Sequence, residues 1–212
     1  MPVEPLQKSP LPRGRHTLSP ETVRASQRER LIGAMVNSVG ERGYTATTVP
    51  DVVASARVSR NAFYALFADK ADCFIAACDD YAADLLELLF KSAAQPTWLD
   101  AVTAGMVDYL GFWEDRPAFT RSYFVEIPAA GVRAIEQRDR QFAQFRAMFD
   151  ALGARARAEN ADLPPLPPLA TRLLVLGITE LIGEESRAGR GERLHELRDE
   201  LIAHIETVLT CR

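Results

Sequence analysis

Between Thr47 and Lys70 the chain reads TTVPDVVASARVSRNAFYALFADK, and its polar residues are suited to recognition rather than to making and breaking bonds. Arg60 carries a planar fork that can donate two hydrogen bonds to a guanine edge; Asn61 can pair with adenine, and Ala62 is small enough to meet a thymine methyl. Taken alone, the same three residues are better described as a solvated helix face. Elsewhere the chemistry of catalysis lacks its usual parts. There is no phosphate-cradling glycine loop, no HExxH pair and no nucleophile elbow. His16, His195 and His204 are too scattered to suggest a metal cluster. Cys73 and Cys78 lie five apart and point to different helix faces, and with Cys211 they make an odd number, which argues against a disulfide framework. The expectation is a protein that is not an enzyme and needs no cofactor and no metal.

The elements that must position Arg60 and its neighbours are helices. The chain has 212 residues, 47% hydrophobic and 25% charged, enough to bury a substantial core. Its apolar runs, such as Leu173 to Ile178, fall far short of the roughly 20 residues that cross a bilayer. The N-terminus has no apolar secretory core, so a cytoplasmic protein without membrane contact is expected. The net charge of -4 is unevenly spread: residues 1–70 carry ten basic and six acidic side chains, and residues 71–212 fifteen and twenty-three. A front of +4 and a back of -8 suit a protein whose first third approaches a polyanion.

Residues 1–18 contain Pro2, Pro5, Pro10 and Pro12 beside Arg13, Gly14 and Arg15, and are expected to form a flexible basic arm. Ser19 and Pro20 open a first helix whose stripe Leu31, Ala34, Met35 and Val39 ends at Gly43. Thr48 and Asp51 read as a capping box for a short second helix, about Val49 to Ala56. Ser59 caps a third through Phe67, and Asp69 with Asp72 starts a long fourth at Lys70. Trp98, Val102, Met106, Tyr109 and Trp113 share a face of the fifth, and Pro117 opens a shorter sixth. A long seventh runs from about Ala129 to Asn160, an eighth from Leu169 to Arg187, and a ninth from Leu194 to Leu209. No strand signal intervenes. The fold class is all-α, about nine helices: a three-helix unit over 19–69 and a larger helical domain over 70–212.

The second and third helices, joined by a tight turn, describe a helix-turn-helix, in which one helix braces the other in the major groove of DNA. At this point the sequence resembles the TetR family of bacterial transcriptional regulators. The segment GERGYTATTVPDVVASARVSRNAFYALFADKADCF, Gly40 to Phe74, has that family's N-terminal signature: Gly-Tyr after the first helix, Thr-Thr before the second, Val-Ser before the third, then Phe-Tyr, Phe and Lys. The resemblance covers about a sixth of the chain. It implies that Thr48, Tyr64 and Lys70 hold phosphates, that Arg60, Asn61 and Ala62 face base edges, and that Ser59 belongs to the same DNA-binding set. Two residues depart from the pattern. Arg57 stands where the family has glycine in the turn, so a left-handed backbone there would cost about 1 kcal/mol. Leu66 replaces a frequent histidine. Arg13 and Arg15 are candidates for the minor groove, as arginines of an arm ahead of the first helix.

For the larger domain the resemblance implies a small-molecule site and a dimer. Tyr109, Trp113, Phe119, Tyr123, Phe142, Phe145 and Phe149 form an aromatic supply that can line an apolar cavity or simply fill a core. Glu126 and Glu180 are the polar ligand candidates. The eighth helix is apolar on nearly every side and so needs cover on every side. With the ninth it is expected to pack against the same pair of a second copy, through Leu173, Gly177, Leu181, Leu194, Leu197, Leu201, Ile205 and Val208. The reading is a ligand-responsive regulator, a repressor released from a palindromic operator by a small apolar or amphipathic effector. Its partners are double-stranded DNA, a second copy and that effector. A helical scaffold that binds protein would keep the dimer but would not need Thr48, Tyr64 and Lys70.

Overall fold

The structure, a computed structural model, describes residues 19–211; the arm with Arg13 and Arg15 lies outside them. The described residues form nine α-helices and no strand. They are α1 (Pro20–Arg42), α2 (Val49–Ala56), α3 (Arg60–Tyr64), α4 (Lys70–Ser92), α5 (Trp98–Glu114), α6 (Pro117–Arg121), α7 (Val132–Glu159), α8 (Ala170–Arg187) and α9 (Arg198–Thr210). A π-helical turn, Ser122–Glu126, and a 3₁₀ turn, Ile127–Ala130, join α6 to α7, and a second 3₁₀ turn, Leu194–Leu197, leads into α9.

The helix starts lie where local chemistry puts them. Ser19, Thr48, Ser59, Asp69 and Thr97 each accept a hydrogen bond from a backbone N–H of the first turn that follows, satisfying donors that a helix start leaves free. The Thr48 box is complete, since the Asp51 carboxylate also takes the Thr48 N–H at 3.0 Å. Two elements differ from expectation. α3 is only five residues long, although Phe67 N still donates to Phe63 O at 2.8 Å, so one looser turn continues it. The ninth helix opens as the 3₁₀ turn at Leu194 rather than as α-helix.

Leu31, Met35 and Val39 of α1 are fully buried against α2 and α4, and the far end of α1 packs on α6. There Gly40 is required: a Cβ on it would lie 2.7 Å from the Ala118 carbonyl oxygen. Ser122 Oγ donates to Val36 O at 3.2 Å, and Arg28 forms a two-pronged pair with Asp80 of α4. The three-helix head is therefore held to the body along α1 from Arg28 to Gly40. α4 starts at the cap that ends the head, at Asp69, and over its 23 residues runs about 34 Å into the larger domain.

Candidate functional site

At the head, Val52 of α2 and Phe63 of α3 are fully buried against α1, which leaves the opposite side of α3 to solvent. Arg60 and Asn61 are exposed, Ala62 is half-buried, and Tyr64 is 48% exposed. A helix turns about 100° per residue, so with Phe63 inward Tyr64 points out. Arg60 and Tyr64 share this outer face, the guanidinium 5.7 Å from the ring centroid, and Arg60 has no ion-pair partner among the described residues. Ser59 Oγ is occupied by Ala62 N at 3.1 Å, so its visible work is capping. Leu66 is half-buried and packs on the core.

Arg57 does adopt the left-handed conformation, φ 53 and ψ 45. Its backbone is tied down from both sides: its N–H donates to Ala54 O, and Arg30 of α1 donates to the carbonyls of Ala56 and Arg57. The turn therefore has the shape that glycine would give it.

Lys70 requires a correction. Its ammonium turns inward, donating to Tyr44 O at 2.8 Å and Thr47 O at 2.9 Å, and stands 4.0 Å from the centroid of the Tyr44 ring. Burial lowers its pKa. Two of its three donors are thus spent closing the loop between α1 and α2. Thr48 is exposed, but its hydroxyl is engaged with the Asp51 carboxylate at 2.6 Å. That bond is also the largest cause of the lowered Asp51 pKa.

In the body, a slit of about 50 Å³ lies among α4, α5, the π-helical turn, α7, α8 and α9, room for only a few waters. Of the expected ligand residues, Tyr109, Trp113, Tyr123, Phe142, Phe145 and Phe149 line it. Three do not. Phe119 is sealed in the core, stacked 4.2 Å from Tyr81 on one side and 5.3 Å from Trp113 on the other. Glu180 is exposed and paired with Arg187. Glu126 faces the head: its Oε2 accepts from Tyr44 N at 2.9 Å, beside the turn at Gly43. Sequence reasoning missed the aliphatic walls, among them Met106, Met148, Val175 and Ile178. Val102 and Met106 share a helix face with Tyr109, the one signal that could have found them.

Two of the four polar side chains of the slit are engaged. The Tyr123 hydroxyl donates to Gln141 Oε1 at 2.8 Å, and Thr179 Oγ1 donates to Val175 O at 2.6 Å. Burial pushes the Tyr109 and Tyr123 phenols up, so both stay neutral. Trp113 Nε1 is buried without a hydrogen-bond partner.

A second, open groove of about 380 Å³ runs between α8 and α9, lined by Leu173, Gly177, Leu181, Leu197 and Leu201 of the expected interface. Leu169, Leu173 and Leu176 are 57%, 62% and 44% exposed. Leu194 and Ile205 are fully buried in the chain's own core, and Val208 is half-buried against it, so these three have little or no surface to offer a second copy. Among the described residues no helix is long and apolar enough to cross a membrane.

Comparison with known proteins agrees with this architecture. Residues 31–77 match the family model described as bacterial regulatory proteins, tetR family. Among curated proteins none matches. Similar solved structures include the fatty acid degradation regulator FadR of Bacillus halodurans, with a TM-score of 0.75 at 12% identity over 84% of this chain and 94% of that one. FadR of Bacillus subtilis, solved with stearoyl-CoA, gives 0.72 at 14% over 84% and 96%. A TetR-family regulator of Rhodococcus sp. gives 0.67 at 18% over 87% and 99%. Identities this low carry the fold alone; the matched head, residues 31–77, is that of the tetR family of bacterial regulatory proteins.

Proposed function

We propose that the chain is a ligand-responsive, cytoplasmic transcriptional regulator that binds a palindromic operator as a homodimer and is released by a small apolar or amphipathic effector. The observation that carries the DNA half is the outer face of α3, where Arg60, Asn61 and Tyr64 stand exposed above a buried Phe63. Arg60 and Asn61 read base edges, and Tyr64 offers its phenol to a phosphate. Lys70 supports this surface from behind.

The groove between α8 and α9 is the dimer seam in this reading. Leu169, Leu173, Leu176 and Gly177 form one stripe of α8, and a second copy of the same pair would cover it as a four-helix bundle. Two heads would then stand about 34 Å apart, one helical turn of DNA.

The slit is the effector site. At about 50 Å³ it must widen to admit an organic molecule, so a ligand prefers a shape other than this one, and that preference drives the response. Two connections lead to the head. α4 reaches from the Lys70 staple to Leu89 at the slit. The π-helical turn places Tyr123 and Phe124 in the wall and Glu126 on the Tyr44 N–H. The apolar acyl chain of the stearoyl-CoA bound in the Bacillus subtilis structure is compatible with an apolar site here.

Binding of purified protein to labelled genomic fragments at low salt tests this reading. Wild type is expected to bind a subset, and Arg60→Ala to bind with relaxed base preference at one position of each half-site. Binding of every fragment alike, unchanged by the substitution, would refute it.

A further inference from the structure

None of the residues that line the slit is Asp, Glu, Lys, Arg or His. An ionised ligand head placed there would have no counter-charge and would lose its hydration. The nearest cation to a wall ring, Arg138, stacks 5.2 Å from the Phe142 centroid and is already paired with Asp139. One fully buried donor remains open. Trp113 is 3% exposed, and its Nε1, a donor only, has no acceptor within hydrogen-bond geometry; the Tyr109 phenol feels the indole N–H without completing that bond. A buried donor left unmade is destabilising and is normally explained by a group that completes it. The Tyr123 hydroxyl and Thr179 Oγ1, which border the same space, already donate elsewhere.

We propose that the slit takes an uncharged, largely apolar ligand bearing one hydrogen-bond acceptor, a carbonyl or ether oxygen, and that Trp113 Nε1 is the donor that selects it. The inference rests on the slit being the effector site and deepens it. Apolar burial against the Tyr109, Phe142, Phe145 and Phe149 rings supplies affinity, and the indole N–H supplies orientation. Trp113 also stacks on Phe119 and meets Phe124 edge-on, so a ligand that moves the indole presses on the turn that carries Glu126.

The test uses three probes of nearly one shape: acetophenone, isopropylbenzene and benzoate. Their dissociation constants are measured by ligand-observed NMR on the full chain, wild type and Trp113→Phe. The substitution is expected to weaken acetophenone relative to isopropylbenzene about tenfold, equivalent to ~1.4 kcal/mol, and benzoate is expected not to bind either protein. The wild-type chain offers an independent readout, because its two tryptophans give two indole N–H resonances. Acetophenone should shift one of them downfield and isopropylbenzene should not, with Trp98→Phe assigning the pair.

An acetophenone-to-isopropylbenzene ratio unchanged by Trp113→Phe, indole resonances indifferent to acetophenone, or benzoate binding as well as acetophenone would each overturn the inference while leaving the slit a ligand site. Binding of none of the three to wild type would reject the slit as a site, and the inference with it.

Discussion

Arg57→Gly is expected to stabilise the protein, against the usual direction for a substitution to glycine. Arg57 holds φ 53 and ψ 45, where a residue with a Cβ costs about 1–2 kcal/mol. Glycine removes that cost but has more freedom to lose on folding, about 0.5–1 kcal/mol. The exposed Arg57 side chain makes no ion pair among the described residues, and the bonds that fix the turn, from Arg30 and to Ala54, are to its backbone. The balance is centred on a gain of about 0.75 kcal/mol, a rise in melting temperature of roughly 2–3 °C for a chain of this size. Arg57→Ala is the control, since it removes the same charge but keeps a Cβ. Thermal unfolding of the two variants should therefore rank glycine above alanine. Equal melting temperatures, or alanine above glycine, would refute the strained turn and with it the orientation given to α3.

Lys70→Met is expected to lower stability by about 2 kcal/mol, since a charged donor shared by two carbonyls is lost; the salt slope of DNA binding should not change, whereas a slope reduced by about one would restore Lys70 as a phosphate contact. Leu173→Glu places a charge on the most exposed leucine of α8 and should yield monomers in sedimentation while leaving helix content intact; dimers that persist would move the seam elsewhere. Asp51 has a lowered pKa because Thr48 donates to it, so its contribution is fully present above the unfolded value of about 3.9 and is lost as pH falls through the lower folded value. Acid titration of thermal stability should show this loss in wild type and a smaller one in Thr48→Val, which keeps only the backbone bond to Asp51; identical profiles would count against the capping box.

Much of the fold was legible because it is written in local chemistry. A Ser, Thr or Asp cap is satisfied by the N–H of its own helix, and the Leu31, Met35 and Val39 stripe follows from helical spacing alone. The site was less legible where contacts are distant in sequence. Nothing near Lys70 announces that its ammonium will meet carbonyls 23 and 26 residues earlier, and nothing near Glu126 announces the Tyr44 N–H 82 residues away. The family resemblance gives Lys70 a phosphate and Glu126 stands as a polar ligand candidate, and neither reading sees these distant partners. Phe119 and Phe142 illustrate the same difficulty among aromatics. Helical spacing puts each on an apolar face, but only the packing of Tyr81 and Trp113 on Phe119 closes it off from the slit.

The central claim is that the exposed face of α3 reads duplex DNA twice in one assembly. Selection of bound sequences from a pool of random duplexes tests it most directly. The account predicts a palindrome whose half-sites lie about 10 base pairs apart, centre to centre, and which loses definition at one position of each half under Arg60→Ala. Recovery of no enriched sequence, or of a single unrepeated motif indifferent to Arg60, would contradict it.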